Sequence, residues 1–161
     1  DAELSGELPP PSNLTEMLLQ WTQILDQQYQ HVAFKCDITP DRLMVAMHGD
    51  RIIQVLDNIV SNAVSFHPSD RQLPILISLS HDKAGAIISI SDNGPGIAPN
   101  MLERIFERFY TERPNKGEFG EHSGLGLAIS RQIAVMHGGS LTADNKPEGG
   151  AVFTLKLPLA S

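Results

Sequence analysis

Two apolar stretches, "ILISLSH" (75–81) and "AIISIS" (86–91), stand either side of "DKAG". This spacing constrains the fold more than any other feature. Strand-forming residues flanking a short turn that contains glycine make a hairpin, so two neighbouring strands run antiparallel. Later, "SLTADN" (140–145) and "AVFTLKLPL" (151–159) surround a Gly149-Gly150 turn and read as a closing strand pair. "VAFKCDI" and "LMVAM" read as short strands about a turn at Thr39-Pro40-Asp41. Helices are expected over 14–32, about 50–66 and 125–137, with a shorter one at "MLERIFERFY" and a polar, mobile loop at "TERPNKGEFGEHSG". Strands and helices do not alternate strictly. The fold class is therefore a two-layer α/β sandwich: a mixed, largely antiparallel sheet covered on one face by about three helices.

The chain of 161 residues is long enough for one domain with a real core. Residues 1–13, ending in Pro9-Pro10-Pro11, read as a linker from an upstream helical domain, and 14–161 as the folded domain of something longer. A net charge of −7, with no Lys/Arg run, argues against nucleic acid or an anionic membrane as the main partner. Cys36 is the only cysteine, which excludes an internal disulfide and fits a reducing compartment. Apolar runs fall far short of the ~20 residues of a membrane span, so a soluble piece is expected.

Three stretches carry candidate chemistry. In "RIIQVLDNIVSNAVSF" the apolar side is Ile52, Val55, Leu56, Ile59, Val60 and Ala63, while Arg51, Gln54, Asn58, Asn62 and Ser65 form a polar stripe with a single charge. Such a stripe is either a weakly solvated surface or a cleft wall facing a polyanion and its cation, where a neutral amide oxygen suffices. "SISDNGPGI" places Asp92 at a strand end before Gly94 and Gly96. It reads either as a plain turn or as an acceptor for an adenine amine beside a backbone that approaches a flat ring. "HSGLGLAIS" puts Ser123, Gly124 and Gly126 at a helix start, either a simple cap or a phosphate site. It is neither a Walker A loop nor a Rossmann fingerprint.

Taken in this order and spacing, the stretches resemble the catalytic ATP-binding domain of sensor histidine kinases, in the wider family shared by gyrase, Hsp90 and MutL (the Bergerat fold). "DNIVSNAVSF" is similar to the N box, "DNGPGI" to the G1 box, "IFERFY" to the F box, "SGLGLAIS" to the G2 box and "EGGAVFTLKLP" to the G3 segment. The stretch "RFYTERPNKGEFGEHSGLGLAISRQI" resembles ChvG/ExoS-type kinases.

The resemblance implies ATP and Mg²⁺ as cofactors, with Asn62 on the metal and Asn58 beside it. Asp92 would hold the adenine amine, Gly94, Gly96 and Ile97 would line the base pocket, and Ser65 and Phe66 would also contact ATP. Phe106, Phe109 and Tyr110 would anchor a lid, and Ser123, Gly124, Leu125, Gly126 and Leu127 would meet the phosphates. It implies phosphoryl transfer to a histidine on a separate helical domain and onward to a response-regulator aspartate. It also implies a cytoplasmic domain of a kinase anchored in the bacterial inner membrane.

Some positions depart from the family's pattern. Ser65 and Thr111 stand where many members carry a basic residue, which leaves Arg108, Arg113 or Lys116 to charge the γ-phosphate site, Arg113 first. None of the six histidines has the setting of the family's phosphoacceptor; they read as surface or capping residues, without metal-ligand spacing. Three other readings remain: a hydrolysing ATPase, which would carry Glu at the Asn58 position as general base; an anti-sigma-type serine kinase; and a non-catalytic nucleotide-binding module.

Overall fold

The computed structural model describes residues 7–68, 73–108 and 126–160. Its centre is a five-stranded sheet built from β2 (Phe34–Ile38), β4 (Ile75–His81), β5 (Ala86–Ser91), β6 (Ser140–Asn145) and β7 (Ala151–Leu157), in the order β2-β4-β5-β7-β6. Only β2 and β4 run parallel; the other pairs are antiparallel. The β4–β5 hairpin turns where expected, with the Asp82 carboxylate accepting from the backbone N–H groups of Ala84 and Gly85 at 2.8 and 3.1 Å. A second ribbon pairs β1 (Pro11–Asn13) with β3 (Met44–Ala46). The end of the proline-rich leader is thus a strand, which proline permits at a sheet edge where no ladder donor is needed.

One sheet face carries Ile75, Ile77, Leu79, Ile88, Ile90, Phe153 and Leu155, all buried. Against it lie α1 (Leu14–Thr22), α3 (Gly49–Phe66) and α4 (Gly126–Met136), with the short α2 (Leu25–Gln28). The opposite face carries hydroxyls in register across three strands, Ser78 beside Ser89 beside Thr154. The expected sandwich is therefore observed.

Two helical expectations differ. The helix from residue 14 breaks after Thr22, whose hydroxyl donates back to the Leu19 carbonyl at 3.1 Å, while Gln23 and Ile24 donate to carbonyls three residues back. Side-chain back-bonding of this kind competes with the helical ladder. The segment read as a helix at 101–110 is described to 108 and forms two 3-10 turns, Pro99–Met101 and Arg104–Phe106. No helix among the described residues is long and apolar enough to cross a membrane.

Candidate functional site

The 18 residues of α3 follow the expected pattern, with Ile52, Val55, Leu56, Ile59, Val60 and Ala63 buried and Asn58, Asn62 and Ser65 partly exposed along the polar side. Asn58 is not simply solvated. Its Nδ2 donates to the Gly126 carbonyl at 3.2 Å and to Ser130 Oγ at 3.0 Å, tying the middle of α3 to the first turn of α4. A Cβ on Gly126 would stand 3.6 Å from the Asn58 amide carbon, so the two elements are in contact. One turn further along, the half-buried Asn62 makes no side-chain hydrogen bond among the described residues.

Asp92 follows β5 and is 3% exposed. One carboxylate oxygen does the structural work: Oδ1 accepts from Gly94 N–H at 2.8 Å and Ala151 N–H at 3.2 Å. Oδ2 has no hydrogen bond among the described residues. A buried carboxylate held through one oxygen presents the other in a fixed direction, suited to a donor such as an aromatic amine. The glycine at 94 is required by space, because a Cβ there would lie 2.5 Å from the Phe66 carbonyl and 3.2 Å from Asp92 Oδ1. Gly96 adopts φ +84°, a left-handed conformation that glycine takes at little cost.

Several contributors were not singled out by the motifs. Asn145, at the end of β6, accepts from Ile97 N–H at 2.7 Å and donates to the Ile97 carbonyl at 2.6 Å, so one side chain clamps the far end of the glycine loop. Asn93 donates to the Pro74 carbonyl at 3.0 Å and accepts from Lys146 Nζ at 3.2 Å. Arg131 of α4 forks onto Glu103 at 2.9 and 3.1 Å, donates to the Leu141 carbonyl at 3.1 Å, and lies 4.1 Å from the centre of the Phe106 ring. The hydrogen bond and the charge of Arg131 hold the Glu103 carboxyl below its ordinary range.

The structure thus brings Phe66, Asp92 and Gly94 together at one end of α3, and Asn58 to Gly126 at its middle. Gly126 and Leu127 open α4, while Phe109, Tyr110, Arg113, Lys116, Ser123, Gly124 and Leu125 lie outside the described residues. Two histidines read as surface or capping residues are buried, His67 at 6% and His137 at 1% exposed. His137 accepts from the backbone N–H of His48, the N-cap residue of α3, at 3.0 Å, which joins the end of α4 to the start of α3. Among the described residues no three His, Cys, Asp or Glu side chains cluster as a metal site.

Residues 47–161 match the family model described as histidine kinase-, DNA gyrase B-, and HSP90-like ATPase. The chain is 50% identical to the sensor protein ChvG of Agrobacterium fabrum over 99% of its own length and 29% of that protein. It is 48% identical to ChvG of Rhizobium meliloti over 67% of its length and 19% of that protein. It therefore spans less than a third of the length of these relatives. The mycobacterial sensor histidine kinase MprB superposes with a TM-score of 0.78 at 26% identity, covering 94% of this chain and 98% of that one. Full-length ShkA in complex with AMPPNP superposes with a TM-score of 0.81 at 26% identity, covering 99% of this chain and 34% of that one.

Proposed function

The chain belongs to the histidine kinase-, DNA gyrase B- and HSP90-like ATPase family, in its sensor histidine kinase branch, and on that premise we propose that it binds Mg·ATP and supplies the γ-phosphoryl group to a histidine on a separate helical domain. The observation that carries the reading is a pair of open polar atoms on elements in contact. Among the described residues Asn62 offers an unengaged amide on α3, and Asp92 an unengaged carboxylate oxygen at the loop packed on the end of that helix. Asp92 Oδ2 suits the adenine amine, which guanine lacks at the corresponding position. Asn62 would suit a magnesium ion, which would supply charge neutralisation there.

A second observation favours transfer over hydrolysis. The Asn58 amide cannot take a proton from water, and its Nδ2 is committed to Gly126 and Ser130. Among the described residues no general base stands beside Asn58 and Asn62 on this wall, which supports positioning and neutralisation as the protein's part. In the transfer, the bond from the γ-phosphorus to its bridging oxygen breaks, a phosphorus–nitrogen bond to the imidazole forms, and the imidazole releases its proton. The phosphohistidine then serves a response-regulator aspartate. Full-length relatives named as sensor proteins fit a larger, membrane-anchored kinase around this domain.

The test is titration with ATP with and without Mg²⁺, followed by incubation with a separately made phosphoacceptor domain. Wild type should bind ATP more tightly with Mg²⁺ and label the histidine. Asn62→Ala should lose the Mg²⁺ enhancement and the label. Labelling that survives in Asn62→Ala would refute the assignment.

A further inference from the structure

We propose that His67 is a positioning residue for the nucleotide base pocket, acting as a neutral imidazole that holds the Asp92–Ile97 loop through Asn93. The inference rests on the ATP-binding reading above. His67 is the C-cap residue of α3, with its own backbone N–H still bonded to the Ala63 carbonyl at 2.9 Å, and it is 6% exposed. Both ring nitrogens are engaged. Nδ1 faces the backbone N–H of Asn93 at 3.0 Å, and Nε2 meets the Leu73 carbonyl.

These partners dictate the tautomer. An amide N–H only donates, so Nδ1 carries the lone pair. A carbonyl only accepts, so Nε2 carries the hydrogen. Neither nitrogen is left to ligate a metal or accept a phosphoryl group.

The target of the Nδ1 bond is what gives it consequence. Asn93 lies between Asp92, which presents Oδ2, and Gly94, which donates to Oδ1 and lies against the Phe66 carbonyl. Around Asn93 the charged groups brought nearest by hydrogen bonds, among the described residues, are Asp92 itself and Lys146, whose Nζ meets Asn93 Oδ1. Asn145 clamps the other end of the loop at Ile97. Asp92 is thus aimed by a loop fixed at both ends by side chains, and a loss of that fixing is felt as a loss of pre-organisation for the ligand.

Two replacements separate the two bonds. Asparagine places Oδ1 near the site of Nδ1 and keeps the acceptor for Asn93. Glutamine places Nε2 near the site of the ring Nε2 and keeps the donor for Leu73. Wild type, His67→Asn and His67→Gln are titrated with ATP by calorimetry at a temperature where circular dichroism shows each folded. His67→Asn should bind ATP within about threefold of wild type and His67→Gln about tenfold more weakly, the loss expected when one hydrogen bond no longer orders a binding loop. Equal affinities in the two variants would overturn the role of His67. A wild type that fails to bind ATP would instead overturn the functional reading. The imidazole ¹⁵N spectrum of the wild-type protein gives a check independent of mutant folding: it should report the Nε2–H tautomer for His67, and an Nδ1–H tautomer or an imidazolium at neutral pH would refute the proposal.

Discussion

Removing the Asn58 amide tests what joins the two helices of the site. Its Nδ2 meets the Gly126 carbonyl at 3.2 Å and Ser130 Oγ at 3.0 Å, and Ser130 is fully buried. A neutral hydrogen bond contributes about 1 kcal/mol net, and a buried polar atom left without its partner costs about 1–3 kcal/mol. Asn58→Ala should therefore lose about 2–3 kcal/mol, which for a domain of this size lowers Tm by roughly 5–10 °C. Ser130→Ala removes one of the two acceptors and should lose about 1 kcal/mol, leaving a coupling of about 1 kcal/mol in the double-mutant cycle. Asn58→Asp keeps the shape but turns a charge toward the Gly126 carbonyl. The charged form is disfavoured in the folded state, so the aspartate pKa rises above its ordinary value of about 3.9 and the destabilisation fades as pH falls and an O–H donor returns. Urea denaturation followed through Trp21, the only tryptophan and 4% exposed, reads all four states. A coupling within about 0.3 kcal/mol of zero would mean that the Asn58–Ser130 contact does not hold the helices together.

Two further outcomes follow from particular contacts. Gly94→Ala drives a Cβ to 2.5 Å from the Phe66 carbonyl, so the loop must move; stability should fall by about 1–3 kcal/mol, and calorimetry should show ATP affinity lost at temperatures where the fold is intact. Arg131 depresses the Glu103 pKa, and a depressed carboxylate pKa contributes stability above the unfolded value of about 4.3 that is lost as pH falls through the lower folded value. Glu103→Gln should accordingly lower Tm at pH 7, less so in high salt because the carboxylate is exposed, and leave Tm unchanged at a pH below both values.

What was legible in the sequence is what local pattern determines. The β4–β5 hairpin, the apolar face of α3 and the span of β6 all follow from periodicity and turn chemistry within about 20 residues, and the structure returns them nearly to the residue. Asp92, Gly94 and the asparagines of α3 were visible because they sit inside short stretches with recognisable spacing. The side chains that aim them were not. His67 meets Asn93 across 26 positions, Asn145 meets Ile97 across 48, and Asn58 meets Ser130 across 72. Nothing local marks such a pair, since each residue alone reads as a cap, a turn or a surface amide. The break after Thr22 was missed for the opposite reason: the apolar spacing of Leu14, Leu18, Trp21 and Leu25 continues through it, while one hydroxyl bond ends the ladder.

The position of Asn58 links packing to chemistry. On the hydrolase alternative a carboxylate would stand there, one helical turn before Asn62, to take a proton from water. In this fold the same position faces a carbonyl oxygen, that of Gly126, and a buried hydroxyl, so the helix pair calls for a donor. On the reading proposed above, an amide at this position meets both demands: its Nδ2 ties α3 to the first turn of α4, and it leaves water without a base there.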